Sequence, residues 1–365
     1  MKHLLTISLT ILLFCTIFTG CVDDFLTPPT TYEYHPTKIQ YTLSYGYRVI
    51  TSGTGEYDIT YDCDIPEVLQ GGTSYHALYP TNFTTIEVFN NTLIRWNING
   101  DEETTYTLGV EASVVAESYL ITDLTGIQSL TLSEIHQQNP DLSYQYLQRQ
   151  SNGTVNLTDP DHPDILTTAQ TILEQVNTSN AFLVGQAVFT WLQEQTTYDL
   201  HDSFAGVQPA AETMQKRSGD CDDLTYLYVS LCRAAGLPAR FIRGYLIAET
   251  IDGTITSTPH AWSEIYVGNN LGINGWIPVE CACDCDDTTI NIHQNFGVEN
   301  AFHLRLYTDD GTNESLNVSL AGITYATYGT QRSIQLTPFS EVEDYEILES
   351  KKLVITAENQ RSYED

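Results

Sequence analysis

The strongest constraint on this chain is a change of hydrophobic period part-way along it. From Ile39 to about Leu132 apolar and polar residues alternate in short runs, among them YTLSYGYRVIT, EYDITYDCDI and TTYTLGVEASVVAESYLI, separated by turns rich in Gly, Asn and Asp. Successive strand side chains point to opposite faces, so these runs predict an antiparallel β-sandwich. Beyond it the period lengthens. DHPDILTTAQTILEQV carries Pro163 near a helix start, and AFLVGQAVFTWLQEQTTYDL repeats apolar residues at 182, 183, 188, 189 and 192. In CDDLTYLYVSLCRAAGLP the positions Leu224, Leu227, Tyr228, Leu231, Cys232 and Ala235 form one buried helical face, which Gly236 and Pro238 bring to a stop. Strands are expected again near 239–248, 260–267 and 275–281, and in AFHLRLY and SLNVSLAGI. The 365 residues exceed what one core ordinarily serves. The expected fold is therefore α+β: an all-β sandwich-like domain over 39–140, then helices packed on an antiparallel sheet over 141–335.

Both ends read differently from this body. Lys2 and His3 precede an uncharged apolar run from Leu4 to Phe18, and Thr19 and Gly20 lead to Cys21. The run is shorter than the roughly 20 apolar residues of a membrane span, so residues 1–20 are expected to be an export signal. FTGC resembles a lipoprotein box, which implies lipid on Cys21 as the sole membrane attachment, although Phe18 stands where an aliphatic residue is usual. Residues 22–38 read as a Pro-, Thr- and Tyr-rich tether and 336–365 as a charged tail. Seven sequons, at Asn82, Asn90, Asn152, Asn156, Asn177, Asn313 and Asn317, agree with an address at the cell surface. A formal net charge of -32 excludes nucleic acid and anionic lipid surfaces as natural partners, because both need a basic footprint. It also suits a salty milieu, which composition does not separate from ordinary surface charge.

The chemistry sits at the helix start. Cys221 falls in its first turn, where unpaired N–H groups and the positive end of the helix dipole favour thiolate, and where its own amide faces a developing oxyanion. Asp220, Asp222 and Asp223 oppose that charge, so a cationic neighbour is required, and His260 in TPHAWSEIYV is the candidate. If this strand and GWIPVE form a hairpin with Val267 opposite Ile273, His260 lies opposite Glu280, whose carboxylate then orients the imidazole. A slip of one residue would put them on opposite faces. Gln208 and Gln215 are the upstream candidates for a side-chain oxyanion donor, Trp262 and Trp276 are expected to pack the sheet or wall the site, and Arg240 and Arg243 to pair with acids.

From about Phe182 to Cys281, through GDCDDLTYLYVSLCRAAGLPARFIRGY, PHAWSEIYV and GWIPVE, the chain resembles the transglutaminase-like family of papain-like cysteine enzymes. The resemblance implies a nucleophile at Cys221, a base at His260 and an acid at Glu280. Two departures stand out: the acid is usually Asp in a D-P-[ST] ending, and here Glu280 precedes Cys281 and Ala282. The activity implied is attack on an amide carbonyl through an acyl-enzyme, with a protein or cell-wall peptide as substrate. Water as resolving nucleophile gives a peptidase, an amine gives a cross-linker, and glycan-asparagine amides are a further substrate class; the rival is a catalytically silent binding module. No cofactor and no metal are called for. ECACDCDD offers soft ligands, but export makes disulfides among Cys63, Cys281, Cys283 and Cys285 the expected use.

Overall fold

The computed structural model describes residues 29–147, 156–200, 206–250, 252–268, 271–283, 287–318, 322–329 and 331–365. The expected signal segment with Cys21 lies outside these, as do Asn152 and Cys285. Strands β1 (Thr30–Ser52), β2 (Glu56–Asp64), β3 (Gly71–Ala77), β4 (Thr84–Val88), β5 (Asn91–Gly100) and β6 (Thr104–Glu117) follow the alternating runs. After β7 (Tyr119–Leu120) come helices Leu132–Gln138, Pro140–Tyr146, Pro163–Val176 and Ala181–Gln195, then β8 (Thr197–Tyr198), helix Ala210–Lys216 and β9 (Ser218–Gly219). Helix Cys221–Ala234 leads into β10 (Ala239–Glu249), β11 (Ile255–Tyr266) and β12 (Trp276–Val279). Helix Thr288–Asn295, β13 (Val298–Glu299), β14 (His303–Thr308), helix Asn313–Val318, β15 (Ile323–Tyr328), β16 (Ser333–Ile355) and β17 (Arg361–Glu364) complete the order.

Two antiparallel sheets, ordered β17-β16-β1-β6-β3 and β15-β2-β5-β4, form the sandwich. Every second residue of β1 and β6 turns inward, so Ile39, Tyr41, Leu43, Leu108, Val110 and Ala112 meet Ile59, Tyr61, Ile94 and Trp96 of the facing sheet. The sandwich is not one continuous stretch. Residues 30–38, expected in the tether, begin β1, and the expected tail supplies β16, paired with β1 from Thr30↔Ile355 to Ser52↔Ser333. The helical body is thus inserted between β6 and β15. Within SLNVSLAGI, residues up to Val318 are helical, and the strand starts at Ile323.

The second body is a four-stranded antiparallel sheet, β12-β11-β10-β14, with helices on it. Asn177 ends helix Pro163–Val176 in the left-handed conformation, and Asn180 caps Ala181–Gln195 by accepting from the Leu183 N–H. Helix Cys221–Ala234 closes with Gly236 at φ +83, the Leu237 N–H reaching the Cys232 carbonyl and the Gly236 N–H the Arg233 carbonyl. Its apolar face joins Ala239, Phe241, Ala261 and Ile265 in the second core. Ile247, Leu304 and Leu306 of the same sheet join the sandwich core instead, so the sheet is packed on both sides. Among the described residues no helix is long and apolar enough to cross a membrane.

Candidate active site

Cys221 is half-buried at the first position of its helix, with Asp220 as N-cap. Asp223 turns back to accept from the Gln208 N–H at 2.8 Å and the Asp220 N–H at 3.3 Å, which fixes the approach to the thiol. Burial, and then the hydrogen bond and charge of Asp220, push the Asp222 carboxyl up to about 8. The acids beside Cys221 therefore carry less negative charge near neutral pH than their number suggests.

His260 Nε2 lies 2.7 Å from Glu280 Oε2. The register that brings them together differs from the expected one. Ser263 pairs with Val279 and Tyr266 with Trp276, because the chain turns tightly between Ile273 and Trp276 through Asn274 and Gly275, both at positive φ. The shift is two residues, so faces are preserved, and Glu280 reaches His260 along the diagonal rather than from directly opposite. Burial alone would lower the His260 pKa, but the Glu280 charge and hydrogen bonds to Cys221 and Glu280 outweigh it and raise it to about 10. Burial would likewise raise Glu280, yet the His260 charge and hydrogen bonds from His260 and His303 hold it far below the usual carboxylate range.

His303 was not among the residues singled out from sequence. Its Nε2 is 3.0 Å from the same Glu280 oxygen, while Glu280 Oε1 accepts from the Ala282 N–H at 2.8 Å. The Trp262 ring stacks on His260 and meets His303 edge-on, with centroids 5.9 Å and 4.7 Å apart. Gly244, paired with His260, makes room for this: a Cβ there would stand 3.0 Å from the Trp262 ring and 1.8 Å from the Leu304 carbonyl oxygen. A glycine inside the strand FIRGYLI was the available signal of such a close approach. Tyr198 was also missed. It pairs with Gly219, and burial, then the charges of Cys221, Asp220, Glu280 and Asp222, push its phenol up to about 12.

The remaining candidates separate. Gln208 spends both amide hydrogens on Thr213 Oγ1 and the Ser218 carbonyl and accepts from Lys216, so it braces the loop and has no donor left for an oxyanion. Gln215 is exposed on its helix. Arg243 reaches Asp64 at 2.6 Å and Arg240 Glu264 at 2.7 Å, and Trp276 packs under Arg240. No disulfide links the described cysteines Cys63, Cys221, Cys232, Cys281 and Cys283, which corrects the expectation for Cys63, Cys281 and Cys283. Cys63 is in the sandwich core, and β12 ends at Val279, so Cys281 turns into the second core beside Ser263 while Cys283 lies against the Glu280 carbonyl. His260, Glu280 and His303 place three ligand atoms within 4.8 Å of one another. Both Nε2 atoms are at hydrogen-bond distance from one carboxylate oxygen, so in this arrangement the three groups bond to one another.

Cys221 thus stands at a helix start and His260 on an antiparallel sheet. Residues 167–281, within this larger α+β chain, match the transglutaminase-like superfamily. Over 106 residues the chain is 29% identical to the uncharacterized protein YebA of Bacillus subtilis (strain 168), a match spanning 27% of this chain and 13% of that protein's length. Among solved structures, a candidate cysteine protease from Cytophaga hutchinsonii is similar with a TM-score of 0.49 at 14% identity, over 91% of this chain and 100% of that one. The periplasmic domain of TgpA from Pseudomonas aeruginosa is similar with a TM-score of 0.33 at 15% identity, over 73% of this chain and 94% of that one.

Proposed function

We propose that this protein is a cell-surface cysteine enzyme that attacks amide carbonyls through Cys221 and hydrolyses peptide or isopeptide bonds. The observation that carries this reading is His260, held between the Cys221 thiol and the Glu280 carboxylate. The Cys221 sulfur adds to the carbonyl carbon, the C–N bond breaks, and His260 gives its proton to the departing nitrogen, leaving a thioester. Water, deprotonated by His260, then attacks that thioester and releases the acid and the thiol. The main-chain N–H of Cys221 faces the developing oxyanion at the helix start. An amine in place of water would make the same site a cross-linker. The rival reading as a silent binding module rested on Glu280 replacing Asp, and the 2.7 Å contact with His260 favours the enzyme. The export signal and FTGC string support a site outside the cytoplasm with Cys21 as lipid anchor.

The test is a screen of peptide, isopeptide and glycopeptide amides with wild type and Cys221→Ala, with and without a competing lysine ester, read by product and intact mass. Wild type should release amine and show an acyl mass on Cys221, and product should be free acid even with the ester present. Turnover by Cys221→Ala at the wild-type rate, or no adduct on any amide, would contradict the proposal; amine incorporation would move it to cross-linking.

A further inference from the structure

We propose that His303 is a positioning residue that pins the Glu280 carboxylate behind His260; the inference rests on reading Cys221 and His260 as the reacting pair. Glu280 spans a diagonal of the β11–β12 hairpin, which suits its length but gives it one more torsion to immobilise than an aspartate has. Three donors immobilise it. His260 and His303 both meet Oε2, and the Ala282 N–H holds Oε1. The orientation of His303 is itself fixed. Asn300 Oδ1 accepts from the Phe302 N–H at 3.1 Å, so the oxygen of that amide faces His303 Nδ1, 2.8 Å away. Nδ1 therefore faces the Asn300 oxygen and Nε2 the Glu280 carboxylate. His303 is buried to 4% exposure against Trp262, so little else competes for Nε2. A carboxylate loosened on this side would lose its aim at His260, and the imidazole beside Cys221 would lose its support.

The experiment is iodoacetamide labelling of Cys221 at pH 6, where an ordinary thiol of pKa about 8.5 is scarcely ionised, with peptide mass mapping in the full chain. His303→Leu keeps bulk without a donor, and His303→Gln sets an amide N–H near the former Nε2. The first should label roughly tenfold more slowly than wild type and the second within about threefold of it, with the thermal midpoint monitored for each. Asn300→Ala, which frees the His303 ring without touching the buried strand, should slow labelling about threefold and keeps the test open should His303→Leu not fold. Wild-type rates in His303→Leu or Asn300→Ala, or a His303→Gln as slow as His303→Leu, would overturn the positioning role. Equal labelling of wild type and His260→Ala would instead overturn the parent reading of the Cys221–His260 pair, and this inference with it.

Discussion

Two glutamates of the same hairpin, the buried Glu264 and the half-buried Glu280, are held in different ways. Glu264, on β11, lies between Arg240 and Arg305, and Arg305 also binds Glu299, which takes the Trp262 indole N–H. Glu280, just past β12, lies between His260 and His303. Burial opposes ionisation of both, and in both the cations prevail, drawing Glu264 down to about 2 and Glu280 lower still. Guanidinium keeps its charge at any working pH, whereas imidazole exchanges its proton in the range where catalysis runs. The comparison teaches that the arginine-held acid fixes the sheet, and that the acid beside it is the one whose partner His260 can take part in proton transfer.

The largest expected effect breaks the first member. Arg305→Met would leave Glu264 and Glu299 buried without their shared cation, and should cost about 3–5 kcal/mol in urea unfolding. The rate of Cys221 labelling in the folded protein should change far less. A loss under about 1 kcal/mol would remove the distinction.

The second prediction uses titration. His260 is raised from 6.5 to about 10 in the folded state, so its contribution is fully present below pH 6.5 and is lost as pH climbs through about 10. Wild type should therefore lose more stability than His260→Ala between pH 8 and 10, read as the difference between their thermal midpoints. Parallel curves would mean that Glu280 does not hold the imidazolium. No such difference is expected from the arginine-held pair in that window.

The smallest effect concerns the acid next to the nucleophile. Asp222 is raised from 3.8 to about 8, so its protonated form favours folding at low pH and that advantage disappears as pH rises through about 8. Asp222→Asn should match wild type near pH 4 and melt a few degrees higher at pH 8 to 9. A variant less stable than wild type at pH 9 would show that the ionised carboxylate is needed there.

The fold class was legible in the sequence, as were the strings that carry Cys221, His260 and Glu280, because those signals are local. Period two against 3.6 separates sandwich from helices, and Cys221 and His260 are scarce residue types in distinctive strings, with Glu280 ending a third. The pairing of β1 with β16 was hidden because partners such as Ser44 and Glu341 lie far apart in the chain, and nothing local marks a long-range ladder. The register was misjudged by two residues because the turn at Asn274 and Gly275 sits inside what read as strand. His303 looked like one polar residue in the run AFHLRLY. Only the pairing of β14 with β10, Leu246 opposite His303, carries it behind Glu280. Gln208 misled for a related reason, since its partners Thr213, Lys216 and Ser218, on the short helix and strand that follow it, use all of its amide.

The central claim, that His260 is the cation that keeps Cys221 reactive, is tested most directly by the rate of Cys221 alkylation from pH 4 to 10 in wild type and His260→Ala, with mass mapping to separate Cys221 from Cys283. Wild type should label faster throughout the neutral range, and the variant should fall at least about tenfold below it at pH 6. Superimposable profiles would contradict the account.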